Sequence, residues 1–570
     1  MIFTAPDAQE IDRVLATVRQ ESKALSDRLR DRIAELDTEA LLDGIRRYEL
    51  CVSRLQRVSV YAELLYALHD QGPAATGLLR RLDAEWARLV TELEFFEPAL
   101  AAHPDPGDLD PYTRFAHHTR TTAASEGPGG PHEVALTALL PTGTEGWQRL
   151  AQQLLARIRV EIDGEPRSIG EALPTLYSPD RAGRAAVHAS INRALEPELE
   201  LRATALGMIV ADGEARAGLR GTDWLEARHR ADGIRPDEVA ALLAVADECT
   251  PIIHEHYALK CTLMGHDRLA DFDRYAPLDN SEQDIAWPDA VDIVIASFRS
   301  VDPDFEKLAL SIFESGCVDA APRPGKQRSA FTRAIPGQLP CISMNFTGRV
   351  RDILTLGHEV GHAVHMRLSS GRPFLAASPP SMVNETVALF CEAMTVRTLL
   401  AGSTDPRTRA SVLARWLEDQ MVAVGRHAAL HRFEVALRAE VHEVGTLEPD
   451  RIGELWTDGQ RRLYGPAVEP TDGYRMWWSY LGPLFTDPGS HYPYIYGQLA
   501  ALALLSRYDE DPAGFGPRFH RLLSAGDTLP PDRLLGAAGV RTTEADDWRR
   551  AAHTLRDQLT RLNSLARQLH

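Results

Sequence analysis

Hydrophobic residues recur at helical spacing through most of the chain. In the first hundred residues the pattern is carried by Ile11, Val14, Leu15 and Val18, which fall on one face of an α-helix. Segments rich in Ala, Leu, Arg and Glu, which favour helix, continue to about Arg299. The pattern therefore predicts a mainly α fold.

Two stretches interrupt the helical pattern. Between Ala101 and Pro131 prolines and glycines cluster, which predicts a loop. Between Gln327 and Gly348 apolar residues alternate and are bounded by Pro/Gly turns, a pattern typical of two short strands. We expect a small β element immediately before residue 350.

Charge and cysteine content narrow the class of protein. The 62 basic and 81 acidic side chains give a net charge of −19, which repels a phosphate backbone, so we expect no nucleic-acid partner. The six cysteines are far apart and form no CxxC pair, so we expect reduced thiols. Because the sequence has neither a signal-like start nor a run of about 18 apolar residues, we expect a cytoplasmic protein without a membrane partner.

The motif HEVGH at 358–362 carries the strongest chemical signal. It lies in a predicted helix from about Val350 to Leu368, where His358 and His362 stand one turn apart and can bind one zinc ion. Glu359 would lie beside the open coordination position and activate the hydrolytic water. A surface helix with a His/Glu cluster is the alternative interpretation.

A catalytic zinc ion needs a third protein ligand, and Glu385 is the candidate. The 27 residues after His358 allow the first helix to end and a second, antiparallel helix to begin at about Ser381. Glu392 lies on the same face as Glu385, so it can hydrogen-bond a ligand histidine or form a structural salt bridge. His365 is not counted as a ligand, because the HExxHxxGxxH pattern is broken.

Several segments, in order, resemble the oligoendopeptidase F branch of the thimet oligopeptidase-like metallopeptidases. They are TLGHEVGHAVH (355–365), VNETVALFCEA (383–393), ALKCTLMGHDRLADFDRYAP (258–277) and VDAAPRPGKQRSAF followed by MNFTG (318–348). The resemblance covers most of the chain. It departs from the family at Ser329, where a glycine is common.

The resemblance implies a two-lobed, zincin-type fold with a deep central channel and a small β-sheet beside the HExxH helix. It implies one zinc ion per chain, short peptides as substrates, and a strand at 344–348 that pairs with the substrate backbone. We expect an N-terminal helical region over 1–100, a linker and the rest of the N-terminal lobe over 101–200, and a catalytic domain over 201–570.

The family also carries a C-terminal His/Tyr cluster that hydrogen-bonds the developing oxyanion, and SHYPYIYG (490–497) resembles it. His491 would be one donor. The second could be Tyr492, Tyr494 or Tyr496, with Tyr494 and Tyr496 as the catalytic candidates. Alternate tyrosines can also be core packing, so this choice stays open.

The predicted function is hydrolysis of internal bonds in short unstructured peptides by a zinc endopeptidase with Glu359 as general base. One alternative is a zinc peptidase or amidohydrolase dedicated to a single peptide, for example in secondary-metabolite maturation. Another is a catalytically silent peptide-binding protein.

Overall fold

The computed structural model describes residues 8–68, 72–126, 136, 139–278 and 285–569. Helices dominate the described chain, and they are α1 (Ala8–Leu29), α2 (Thr38–Leu68), α3 (Pro73–Leu93), α4 (Phe96–Ala101), α5 (Thr113–Glu126), α6 (Thr144–Arg157), α7 (Ile169–Ala172), α8 (Arg181–Leu195), α9 (Leu199–Arg220), α10 (Glu226–Asp232), α11 (Pro236–Glu248), α12 (Thr250–Met264), α13 (Trp287–Val301), α14 (Pro303–Glu314), α15 (Val350–Ser369), α16 (Phe374–Ala377), α17 (Ser381–Gly402), α18 (Pro406–Met421), α19 (His427–Val444), α20 (Pro449–Tyr464), α21 (Gly482–Thr486), α22 (Tyr492–Glu510), α23 (Pro512–Leu523), α24 (Pro531–Ala537) and α25 (Ala545–Leu569). The strands are β1 (Arg159–Ile162), β2 (Glu165–Ser168), β3 (Leu269–Ala270), β4 (Val318–Asp319), β5 (Phe331–Arg333), β6 (Cys341–Ser343) and β7 (Val468–Glu469). Short 3₁₀ segments lie at Ile33–Glu35, Leu173–Tyr177, Asp271–Asp273, Gly465–Ala467 and Asp472–Tyr480, and a π-helical turn lies at Val422–Arg426. The predicted mainly α fold is confirmed.

The chain forms two compact units, each assembled from three separate stretches. Unit 1 consists of Met1–Ser125, Gln283–Ala401 and Leu504–Arg541, and unit 2 of Glu126–Glu282, Gly402–Ala503 and Thr542–His570. The expected segments 1–100, 101–200 and 201–570 run consecutively, so they do not coincide with these units. The channel implied by the family resemblance stays a prediction.

The loop predicted between Ala101 and Pro131 is wrong over much of its length. Helix α5 occupies Thr113–Glu126, because no proline or glycine stands between Pro111 and Gly127 to stop a helix. Residues 127–131 of the predicted loop lie outside the described residues.

In unit 1 the first three long helices pack on one another around a shared core. The predicted apolar face of α1 is confirmed, since Ile11, Leu15 and Val18 are buried and Val14 packs at the edge of the same cluster. Burial of such a stripe, rather than helix propensity, supplies most of the stability of a surface helix.

A three-stranded sheet of unit 1 lies against α15. Its order is β4-β6-β5, with β4 parallel and β5 antiparallel to β6, and both β5 and β6 contact α15. The two strands predicted between 327 and 348 are confirmed as β5 and β6. The strand expected over 344–348 is wrong, because β6 ends at Ser343; beyond it, the N–H groups of Met344 and Phe346 donate to the carbonyls of Asp319 and Ala320.

Unit 2 is built around an aromatic core. Trp456, Tyr474, Trp477 and Trp478 are almost completely buried and belong to one cluster with side chains of α9, α19 and α20. The indole N–H of Trp456 donates to the carbonyl of Tyr474 at 2.9 Å, which satisfies a polar group that burial would otherwise leave unpaired.

Within the described ranges, no helix combines the length and the hydropathy needed to cross a bilayer. All six cysteines are free, and every one except Cys317 is buried.

We expect Cys317 to react first with iodoacetamide, with its rate rising through about pH 6 and levelling off above it. The Cys341 thiol hydrogen-bonds the Cys317 sulfur and, with Ser315, lowers the pKa of Cys317 to about 6 despite partial burial. Only the thiolate is nucleophilic, so the rate follows deprotonation. Mass spectrometry of tryptic peptides measures the labelling rate of Cys317 at each pH.

The Cys341→Ala variant is the control for this experiment, because it removes the donor. Its labelling curve at Cys317 is expected to move to higher pH. A wild-type curve that rises only near pH 9 would contradict the assignment.

Candidate active site

Helix α15 presents the HEVGH residues, and its predicted start at Val350 is confirmed. At its N-terminal end Asp352 accepts hydrogen bonds from the backbone N–H (2.6 Å) and hydroxyl (2.7 Å) of Thr347, which anchor the preceding turn. His358 and His362 lie one turn apart, with ring centroids separated by 4.8 Å and planes at 87°. The helix thus directs two imidazoles to one side, as the spacing predicts.

Helix α17 brings the acidic residues to the histidines, and it begins at Ser381 as predicted. Most of its own apolar side chains are buried, as expected for a core helix. Gly361 permits its close approach: a Cβ at that position would lie 2.9 Å from Cys391 Cβ and 3.1 Å from Ala388 Cα. The glycine inside HEVGH therefore sets how closely Glu385 can approach the histidines.

The three predicted ligands come together. Glu385 Oε2 lies 3.7 Å from His358 Nε2, and Glu385 Oε1 lies 3.6 Å from His362 Nε2. One ligand atom from each residue falls within 4.8 Å of the others. Donor atoms bound to zinc at tetrahedral angles are about 3.3–3.6 Å apart, so the two distances to Glu385 and the chemistry of the three donors are compatible with a zinc ion.

The site is partly open to solvent. The side chain of Glu385 is 49% exposed and that of His358 is 19% exposed, whereas His362 is buried. Burial, reinforced by the neighbouring His358, lowers the pKa of His362 to about 3. His362 is therefore held in the neutral form that binds metals.

Glu392 lies behind His358, so of the two alternatives that the sequence leaves open, the structure favours a contact with one of the HEVGH histidines. Its Oε2 lies 3.3 Å from His358 Nδ1. Burial lowers the pKa of His358, but the hydrogen bond and charge of Glu392 outweigh it and raise the pKa to about 9. A carboxylate on the second nitrogen fixes the ring orientation of a ligand histidine, and a metal that binds Nε2 must displace a proton from this ring.

Glu359 lies beside the ligand group with its side chain buried. Burial raises the pKa of Glu359, while His358 and Thr332 partly oppose the rise. The hydroxyl of Thr332, on β5, donates to Glu359 Oε2 at 2.6 Å. A carboxylate with raised proton affinity and a fixed orientation is suited to take a proton from a water molecule.

The sequence did not reveal Thr332, because the contact joins residues 27 positions apart on different elements. We expect Thr332→Val to lower kcat about tenfold, since the isosteric side chain loses the hydrogen bond that orients Glu359. Steady-state kinetics with one fluorogenic peptide measures this loss. Thr91→Val, which removes an exposed hydroxyl that bonds the Ala87 carbonyl within α3, is the matched control, and equal rates for the wild type and Thr332→Val would contradict the role.

Asn384 is a second residue that the sequence did not reveal. It immediately precedes Glu385, and its side chain interacts with His362 and His365, raising the pKa of each against the dominant effect of burial. His365 is completely buried and stays outside the group of possible metal ligands in the described chain.

The three residues predicted to stabilise the oxyanion lie in unit 2, immediately before α22 and in its first turns. His491 is buried, Tyr496 is 1% exposed and Tyr494 is 57% exposed. The Tyr496 ring packs edge-on against Trp548, and the Tyr494 ring stacks on His427 with centroids 4.2 Å apart. The exposure favours Tyr494 over Tyr496 as a donor to a ligand, and the roles of all three residues stay predictions.

A small sheet beside a helix that carries HExxH, within a mainly helical chain, defines a zincin-type fold. The model of Peptidase family M3 matches residues 175–554, more than half of the chain. The chain belongs to this family.

Curated relatives agree with this assignment. Oligopeptidase PepF of Bacillus subtilis is 24% identical over 333 residues, which cover 58% of this chain and 50% of that protein. An oligoendopeptidase F homolog of Lactococcus lactis is 22% identical over 395 residues, or 68% of this chain and 65% of the relative. The matched regions thus span between half and two thirds of these relatives.

Solved structures share the fold over nearly the whole chain. Oligoendopeptidase-F from Enterococcus faecium has a TM-score of 0.71 at 19% identity and covers 98% of this chain and 99% of its own. PZ peptidase A gives 0.76 at 16% identity, with 97% of each chain covered. The resemblance to the oligoendopeptidase F branch is confirmed.

Proposed function

We propose that this chain is a zinc-dependent endopeptidase that hydrolyses internal bonds of short unstructured peptides. The observation that carries the proposal is the convergence of His358, His362 and Glu385 beside the buried carboxylate of Glu359. Two imidazoles and one carboxylate are the ligand set of many catalytic zinc sites, which keep a further position for water or substrate.

Zinc held by these ligands, one ion per chain, would supply Lewis acidity toward a water molecule and the peptide carbonyl. Glu359 accepts a proton from the attacking water and then passes it to the amine of the leaving peptide. Thr332 keeps the carboxylate oriented during both transfers. Glu392 holds the His358 ring in position.

We assign stabilisation of the developing negative charge on the carbonyl oxygen to His491 and a tyrosine. Exposure at the start of α22 favours Tyr494, with Tyr496 as the alternative. One well-placed donor of this kind contributes about 3–4 kcal/mol to a hydrolytic transition state.

Short peptides are proposed as the substrates because the relatives that match are named oligopeptidase and oligoendopeptidase. Free thiols at all six cysteines favour a reducing, cytoplasmic location. The net charge of −19 speaks against a nucleic-acid partner.

Digestion of a mixed synthetic peptide library, followed by mass spectrometry, tests the proposal. We expect cleavage at internal bonds of many peptides, abolished by a chelator and restored by zinc. Cleavage of a single peptide would instead support a dedicated peptidase. No cleavage with zinc loaded would support a peptide-binding protein.

A further inference from the structure

Unit 1 contains a cavity of about 710 Å³ that borders the catalytic residues. Its walls are formed by α2, by β5 with the following turn, by the end of α15 and by the segment 372–379. Thr332, which donates to Glu359, lines the cavity, and so does Asn384, the neighbour of Glu385. Residues of a peptide that flank a bond held at Glu359 can therefore enter it.

Four arginines and one glutamate give this cavity a positive charge; they are Arg54, Arg57, Arg333, Arg372 and Glu63. We call it the arginine cavity. Two of its cations are neutralised, since Arg54 pairs with Glu21 and Arg333 lies 3.5 Å from Glu63. A local excess of positive charge stands out in a chain whose net charge is −19.

The other two arginines carry the excess charge. Arg372 donates through Nε to the carbonyl of Ser524 at 3.1 Å, which leaves its terminal N–H groups for another acceptor. Among the residues that the structure describes, neither Arg57 nor Arg372 forms an ion pair with a carboxylate of this chain. A guanidinium group binds carboxylates through paired N–H donors.

The remaining lining is suited to a side chain rather than to water alone. Val60, Ile335 and Phe374 contribute apolar surface. A concave site of several hundred cubic ångströms, mostly apolar with a few converging polar groups, is typical of ligand sites.

We propose that the arginine cavity is a specificity subsite that binds a carboxylate of the peptide substrate through Arg57 and Arg372. The inference rests on the proposed function, because it assigns a substrate class to the same site. The carboxylate belongs either to the C-terminus of the peptide or to an aspartate or glutamate near the scissile bond. Peptides that place a carboxylate in this cavity are thereby selected, even though the net charge of the chain is −19.

Binding of matched peptides to the Glu359→Gln variant tests this subsite without turnover. One pair of peptides differs only in whether the C-terminus is an acid or an amide. Each further pair carries glutamate or glutamine at one position near the scissile bond. We expect the carboxylate member of one pair to bind about five- to tenfold more tightly by fluorescence anisotropy. The pair that shows the ratio identifies the source of the carboxylate.

Adding Arg57→Gln and Arg372→Gln to that variant is expected to bring the ratio close to one. Adding Arg32→Gln instead, which removes an exposed arginine of unit 1 outside the cavity, is expected to preserve it. Equal binding of both members of every pair, or a ratio that survives the double substitution, would overturn the subsite. Absence of hydrolysis by the wild-type enzyme would overturn the proposed function alone, because the ratio is measured without cleavage.

Discussion

Replacing Glu359 with glutamine is expected to lower kcat/KM for peptide hydrolysis by about a thousandfold or more. Glutamine keeps the shape of the side chain, and its carbonyl can still accept the Thr332 hydrogen bond. It cannot take a proton from water. Because Glu359 lies outside the group of possible metal ligands, bound zinc is expected to stay at one ion per chain.

Kinetics on a fluorogenic peptide and elemental analysis of the same sample measure both quantities. Glu35→Gln, which changes an exposed glutamate elsewhere in unit 1, is the matched control. A Glu359→Gln protein that keeps the wild-type rate with zinc bound would remove Glu359 from the reaction.

Replacing Glu385 with alanine is expected to weaken zinc binding more than a hundredfold and to abolish hydrolysis at ordinary zinc concentrations. The side chain is about half exposed, at 49%, so its removal leaves no buried cavity, and the melting temperature of the metal-free protein should change little. Competition with a chromophoric chelator measures the affinity.

Glu392→Gln serves as the comparison for this experiment. Glutamine can still reach His358 Nδ1 but brings no charge, and loss of such a supporting contact typically costs about 10–100-fold in metal affinity. The expected order of affinities is therefore wild type, Glu392→Gln, Glu385→Ala. Unchanged zinc affinity in Glu385→Ala would show that another group completes the site.

The convergence of the three proposed ligand residues could be predicted from the sequence, because residues at fixed spacings on a helix share a face. Residues 358 and 362 must share a face once α15 forms, and the distance to Glu385 leaves room for one helix end, a turn and a second helix start. The predicted starts of both helices at Val350 and Ser381 agree with the structure. Helical periodicity within the chain was therefore sufficient to predict that His358, His362 and Glu385 lie together.

Residues that act across elements could not be predicted in this way. Thr332 reaches Glu359 only because β5 packs on α15, and no local pattern marks one threonine in a strand. The strand that the family resemblance implies at 344–348 also differs from the structure, because the paired ladder does not continue past Ser343 although apolar and polar residues still alternate there. Likewise, the assembly of each unit from three separate stretches of the chain depends on long-range packing.

The tyrosines after His491 are a further feature that could not be predicted from the sequence. Three alternating aromatic residues have the same local pattern, so nothing in the sequence separates a ligand-facing ring from a packed one. Burial separates them: Tyr492 and Tyr496 are almost completely buried, and Tyr494 is exposed.

An anomalous-difference map from crystals of the zinc-loaded protein, recorded at the zinc absorption edge, tests the central claim most directly. One peak per chain is predicted, bounded by Nε2 of His358, Nε2 of His362 and the carboxylate of Glu385, with Glu359 beside it and not bound. A peak elsewhere, or zinc-loaded crystals that show no peak among these three side chains, would contradict the account.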